Sequence, residues 1–359
     1  MALNIRESRW LQLTAALILI YFFVMDVSLY NRLQSFTFSS NKATESPNGE
    51  YHLSPISQIA MKTLLLDPPN HYIHVPLAVM FIEATNFSNV FPSITPNMIS
   101  VSHVFVAACG MTLVWSDRLA VRQAGVLLFE VRSYLDALDG AVARSRARHN
   151  MIHLDIGSAG FFVDGICDTF GSIALYVGIL VYLTSNLPSL GSRTKGGYSA
   201  VPLLLLPFSH PSKDSQERGG DGAPGVLPHA VNLIHKKRVV FMIICSALQM
   251  TLGSLFWNRT LDAYHSLLEI EPLTEGQRAL QIEIFKSQSL WIIIWCWRLC
   301  NPHALLEMIL ISIFIDRLWE FLRWSQFYGF LVILSVTAVT QIHINHVTNL
   351  MALAALNGY

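Results

Sequence analysis

Seven stretches of this chain are apolar over about the length needed to cross a bilayer, and no other property constrains its fold as much. Hydrocarbon about 30 Å thick takes roughly 20 helical residues to span, and inside it only helices or closed barrels satisfy every backbone group. The runs are Leu11–Met25, Met98–Trp115, Leu119–Val142, Ser158–Thr184, Val239–Phe256, Ala304–Phe321 and Phe327–Ile342. Their lengths predict helices, so the expected fold is an all-α polytopic membrane protein. Composition agrees, with 52% hydrophobic and only 13% charged residues, against about 25% charged in a typical soluble domain. The net charge is zero and no basic stretch is interleaved with aromatics. Nucleic acid is therefore excluded as an expected partner.

Charge places the loops. Arg6 and Arg9 precede the first run, which lacks a small-residue cleavage site and reads as a retained signal anchor with a cytosolic N-terminus. The expected order is an N-terminus and anchor over 1–30, a luminal segment over 31–93, a six-span core over 94–345 and a tail over 346–359. The 185–238 loop carries Arg193, Lys195, Lys213, Arg218, Lys236, Lys237 and Arg238, as expected of a cytosolic face. Within it, about 209–225 is rich in Gly, Pro and charge and is expected to be disordered. The triplets Asn86-Phe87-Ser88 and Asn258-Arg259-Thr260 match the glycosylation acceptor pattern, and both fall on the luminal side of this topology. Two shorter apolar stretches, Ile73–Phe81 (interrupted by Pro76) and Leu290–Trp297, read as interfacial or re-entrant pieces. The five cysteines give no disulfide framework, and Cys296 and Cys300 share a helix face as core residues.

Two neighbouring runs carry carboxylates that a bilayer does not tolerate without a reason. One ends Asp136-Ala-Leu-Asp139-Gly140-Ala-Val-Ala143-Arg144, and the next begins Gly160-Phe-Phe-Val-Asp164-Gly-Ile-Cys-Asp168. At 3.6 residues per turn, Asp136, Asp139, Gly140 and Ala143 share one face, and Gly160, Asp164 and Asp168 share another. A short connection makes the two helices antiparallel neighbours, and the small residues let backbones and a ligand approach. Four carboxylates in one pocket need counter-charge. An all-oxygen donor set suits two hard divalent cations, Mg²⁺ or Mn²⁺, which can clamp a pyrophosphate.

The pattern D-x-x-D-G-x-x-A-R followed by G-x-x-x-D-x-x-x-D resembles the signature of the CDP-alcohol phosphotransferases, and Thr95-Pro96-Asn97 resembles the entry to that family's first core helix. The resemblance implies a six-helix core, here with one extra N-terminal transmembrane helix. It implies metal ligation by Asp136, Asp139, Asp164 and Asp168, with Asp168 also a general base and Asp164 counted with it as catalytic. Asn97, Gly140, Ala143, Arg144 and Gly160 would serve the donor nucleotide. Fifteen residues separate Arg144 from Gly160, and with the extra span this long variant is similar to the insect-type ceramide phosphoethanolamine synthases. That resemblance implies CDP-ethanolamine as donor, ceramide as acceptor, a Mn²⁺ (or Mg²⁺) requirement, a Golgi membrane with a luminal site, and homodimers as in much of the family. Diacylglycerol as acceptor, and a transporter or scaffold without chemistry, are the competing expectations. Arg122, Glu130 and Arg132 are expected to pair with neighbouring helices. His149 and His153, four apart in the long connection, are a weaker metal pair, and Glu307 is ambiguous. Asp316 is a candidate contact for the ethanolamine ammonium.

Overall fold

The computed structural model describes residues 9–35, 61–150, 159–187, 228–269 and 275–356. The expected disordered loop at 209–225, together with His153, lies outside them. Every regular element among the described residues is helical: α1 (Arg9–Ser35), α2 (Met61–Leu64), a π-helical turn (Asn70–His74), α3 (Val75–Thr85), α4 (Phe87–Val90), α5 (Pro96–Val114), α6 (Leu119–Asn150), α7 (Ala159–Ser185), α8 (Pro228–Leu268), α9 (Glu275–Lys286), α10 (Gln288–Cys300), α11 (Pro302–Phe314) and α12 (Leu318–Leu356). Five of these, in α1, α5, α7, α8 and α12, are long and apolar enough to cross a membrane. The chain is an all-α multi-pass membrane protein.

Helix boundaries follow local chemistry. The Thr95 hydroxyl accepts from the Met98 amide and Pro96 follows at the first helical position, so α5 starts where a side chain satisfies a free N–H. Pro76 likewise sits in the first turn of α3, so it begins a helix there and does not interrupt one. The expected span Ala304–Phe321 is two helices. Asp316 adopts a left-handed backbone, φ 58°, and the Arg317 amide donates to the Ser312 carbonyl, ending α11 before α12 begins. At 1.5 Å per residue α11 is only about 20 Å long. It follows directly on α10, with Asn301 capping its first turn through the Ala304 amide. The expected tail from 346 is helix as far as Leu356, and its Val347 and Met351 are buried.

Among the described residues three apolar cores result, the smallest joining α3, α4, α5 and α6 around Ala78, Ile82, Ile99 and Val142. The first joins α5, α6, α7, α11, the first half of α8 and the start of α12, around Phe129, Leu175, Ile179, Met242 and Ile309. Here α5 packs tightly on α6 because Gly125 lies against Gly110: a Cβ added to Gly125 would stand 3.1 Å from the Gly110 carbonyl oxygen. The second core gathers the end of α1, α2, α9, α10 and the far halves of α8 and α12, around Leu29, Leu65, Tyr264, Ile294 and Trp297. Leu290–Trp297 therefore belongs to a packed helix, with Leu290, Ile294 and Trp297 fully buried. Outside the cores, Leu17, Phe23, Phe105, Leu331 and Ile342 are exposed, as lipid-facing side chains must be.

Candidate active site

The site forms where α5, α6 and α7 meet. Asp136 and Asp139 come from α6, and Asp164 and Asp168 from the first turns of α7. One ligand atom from each of His103, Asp136, Asp164 and Asp168 lies within 4.8 Å of all the others. His103, on α5, was not among the residues read from the sequence. A lone polar side chain in an apolar run was the available signal. Its Nε2 stands 4.0 Å from Asp136 Oδ1 and 3.9 Å from Asp168 Oδ1, and the imidazole is 0% exposed. Neither ring nitrogen has a hydrogen-bond partner, and neither does the buried Asp164 Oδ1. Buried polar atoms are rarely left so. Three carboxylates and an imidazole with free lone pairs make a donor set that fits a hard divalent cation.

Asp139 is not in that converging group. Its Oδ2 accepts from the Ser100 hydroxyl at 2.5 Å, one turn into α5, which fixes the carboxylate beside the cluster. Arg132 donates to Asp168 Oδ1 from one turn before Asp136, and its guanidinium is buried. Gly171 makes the seat for it: a Cβ there would lie 2.9 Å from Arg132 Nε. The expected pairing of Arg132 with a neighbouring helix is thus met on α7.

The remaining expected residues lie on the same three helices. Arg144 folds back along its own helix, its NH1 3.2 Å from where a Gly140 Cβ would be, so any side chain at 140 would press on the guanidinium. Ala143 and Gly160 are half-buried, and Asn97 is exposed in the first turn of α5. A further cation arrives from far upstream. Lys62, on α2, lies in the field of Arg144, Asp164, Asp136 and Asp139. Burial pushes its ammonium below the usual lysine range and Arg144 adds to that, while the aspartates oppose it. No spacing in the sequence connects Lys62 to the signature. What brings it there is the strap after it: the Leu64 carbonyl accepts from Arg298, and the Leu65 carbonyl from Trp257 and Asn301.

Asp316 is elsewhere. It pairs with Arg122 at 2.6 Å, and the 14 residues between Arg122 and Asp136 along α6 put it about 21 Å from the aspartates. It does not contact a substrate held at them. The cluster's place on the signature helices leaves the question of which family carries this arrangement. The whole of residues 5–352 matches the sequence model of the ceramide phosphoethanolamine synthases.

This chain belongs to that family. Among its curated relatives is the ceramide phosphoethanolamine synthase of Drosophila melanogaster, 38% identical over 302 residues, which are 83% of this chain and 70% of the relative. No solved structure matches. The family match includes α1 and the 61–90 segment as well as the signature helices, so Lys62 and its strap lie inside the matched region.

Proposed function

We propose that this chain transfers phosphoethanolamine from CDP-ethanolamine to the primary hydroxyl of ceramide, releasing CMP. The observation that carries the proposal is the converging group His103, Asp136, Asp164 and Asp168 in a chain that matches the synthase family end to end. The residues that would hold divalent cations are Asp136, Asp164 and Asp168, with His103 as a nitrogen donor and Asp139 alongside. Two Mn²⁺ or Mg²⁺ ions there would neutralise the pyrophosphate and the charge left on the departing CMP.

The protein side of the reaction follows from placement. Arg132 holds Asp168 through Oδ1, leaving Oδ2 to take the proton of the acceptor hydroxyl. The Asp168 side chain is 31% exposed, so a hydroxyl can reach it. The ceramide oxygen then bonds to the phosphorus bearing ethanolamine, and the bond from that phosphorus to the bridging oxygen breaks with its electron pair going to CMP. Arg144 and Lys62 offer positive charge to the nucleotide side, and guanidinium matches phosphate oxygens in a bidentate way. Asn97 in the first turn of α5 and the small residues Gly140, Ala143 and Gly160 leave room for cytidine. Phe162, Ile166, Phe170 and Ile173 form an exposed apolar stripe on the face of α7 opposite Asp164 and Asp168, as lipid-facing side chains do.

Purified protein supplied with CDP-ethanolamine and Mn²⁺, with ceramide and diacylglycerol offered separately, tests this. Product from ceramide is expected, and product from diacylglycerol alone would replace ceramide as the acceptor.

A Golgi membrane with a luminal site, and pairing into homodimers, complete the reading. Asn86 supports the first. It is exposed on a left-handed turn after α3, and Ser88 bonds Ser145 at 2.8 Å, so it lies at the same end of α6 as Arg144. Asn258 lies inside continuous α8 with Thr260 buried, an unsuitable acceptor. Glycan removal should change the mobility of the wild-type protein and not of Asn86→Gln. Protease access to residues 209–225 only after vesicles are opened would overturn the luminal placement.

A further inference from the structure

A second buried acidic group lies one helix face away from the aspartates. Helix α11 runs antiparallel to α6: Gln123 bonds the Phe314 carbonyl and His303 is a charged neighbour of Asp136. That register sets Glu307 beside Glu130, with Asp67 and Arg132 as its other charged neighbours. Glu307 is 7% exposed, and its Oε1 has no hydrogen-bond partner. Arg132, the cation among those neighbours, is committed to Asp168.

Glu130 and Glu307 lie within hydrogen-bonding reach of each other. Glu130 Oε2 faces His74 Nε2 at 3.5 Å. The other ring nitrogen, His74 Nδ1, lies 3.0 Å from Asn70 Oδ1, while Asn70 Nδ2 donates to Asp67 Oδ1 at 2.9 Å. With its amide nitrogen engaged on Asp67, Asn70 offers His74 an oxygen, so Nδ1 carries the proton. The other nitrogen, Nε2, is the ring atom that faces Glu130. Glu307 and Glu130 thus bring two carboxyl groups together, with the His74 ring against Glu130. Asp67, fully buried, is already satisfied by the Asn70 amide and side chain and adds negative charge behind them.

We infer that Glu307, Glu130 and His74 form the subsite for the primary ammonium of the donor's ethanolamine arm. An ammonium carries three N–H donors and one positive charge, so it can bridge the two carboxyl groups in place of the proton they would otherwise share. The position suits a two-carbon arm. Arg132 is the shared neighbour of Asp168 and Glu307, so a phosphoryl group at the aspartates lies one guanidinium away from the glutamates. Glu130 remains partly open, with 35% of its side chain exposed, which gives the arm a way in. A trimethylated ammonium has no N–H to offer, so the subsite discriminates against choline by leaving its acceptors unpaired. This inference rests on the donor reading above.

Donor comparison in purified full-length protein tests it, using CDP-ethanolamine, CDP-choline and the uncharged CDP-propanol ester, whose methyl group replaces the ammonium. Glu307→Gln and Glu130→Gln should raise KM for CDP-ethanolamine roughly 10- to 100-fold, the range for hydrogen bonds to a charged group. The same variants should leave CDP-propanol turnover within about twofold of wild type, flattening the preference among donors. Equal losses with both donors in variants that keep the wild-type unfolding midpoint would overturn the subsite, as would no change with either. Failure of wild type to use CDP-ethanolamine at all would instead overturn the donor reading.

Discussion

Two clusters of buried charge in this protein are handled in opposite ways. In the second core, Arg298 is 0% exposed, and both its terminal nitrogens have partners though its Nε has none. NH2 meets Asp26 at 2.9 Å, NH1 meets His71 and the Leu64 carbonyl, and the guanidinium lies over the Tyr72 ring, whose hydroxyl donates to Asp26. In the first core, by contrast, His103, Asp164 and Glu307 keep buried atoms with no partner. A satisfied network holds helices in place, whereas an unsatisfied one is incomplete until a ligand arrives. Arg298 ties α1, the π-helical turn and α10 together across 272 residues of sequence, and α1 is held besides by buried Leu29 and Leu33, by Gln34 on the Lys286 carbonyl, by Tyr21 on the Tyr72 carbonyl and by Tyr30 against Trp291.

The comparison is broken most directly by exchanging what each cluster lacks. Asp164→Asn should reduce ceramide phosphoethanolamine formation by about 10³-fold or more, some 4 kcal/mol in activation free energy. Its unfolding midpoint should stay at or above wild type, because one of several like charges is removed. A fall in stability matching the fall in rate would mean that the aspartates serve structure.

Arg298→Met should do the reverse. Leaving Asp26 buried without its partner costs about 3–5 kcal/mol, read as a lower midpoint in thermal unfolding, with only a modest rise in donor KM from the lost bond to the Leu64 carbonyl of the Lys62 strap. Adding Asp26→Leu should recover most of the loss, since a buried pair is replaceable by apolar packing. If it does not, the pair is doing more than joining α1 to α10.

Asn301→Ala removes the cap of α11 and the bond to Leu65 that helps seat the Lys62 strap. A loss of about 1–2 kcal/mol is expected from the cap and one buried bond, with a modest rise in donor KM. Asp316→Asn should be the mildest. The carboxylate is half exposed, and such pairs contribute about 0–1 kcal/mol. Asn also tolerates the left-handed backbone at this position. Activity should be unchanged, and a donor-specific KM effect would restore Asp316 as an ammonium contact.

Much of the first core could be read along the chain. Asp136 and Asp139, like Asp164 and Asp168, are three or four residues apart, and helical phase alone puts each pair on one face. Paired helices with a short connection then bring the faces together. His103 escaped because a single histidine has no phase partner, whereas Arg132 was legible as a helix-pairing residue but not as the partner of Asp168. The break at Asp316 escaped because the run on either side stays apolar and no glycine marks the turn. The second core was hardly legible. Leu290–Trp297 is too short to span, and its burial depends on α1, α8 and α12, which the sequence places far away.

The sequence by itself determined that this is a helical membrane protein carrying a phased set of carboxylates, because period and hydropathy are local properties. Tertiary structure decided which polar groups have partners. Arg298, Lys62, His103 and Glu307 are single charges or dipoles with no local pattern, and satisfaction is a property of distances between elements. Only folding sets Arg298 against Asp26 and leaves Glu307 facing Glu130, and that difference separates the residues that hold the protein together from those that wait for its substrate.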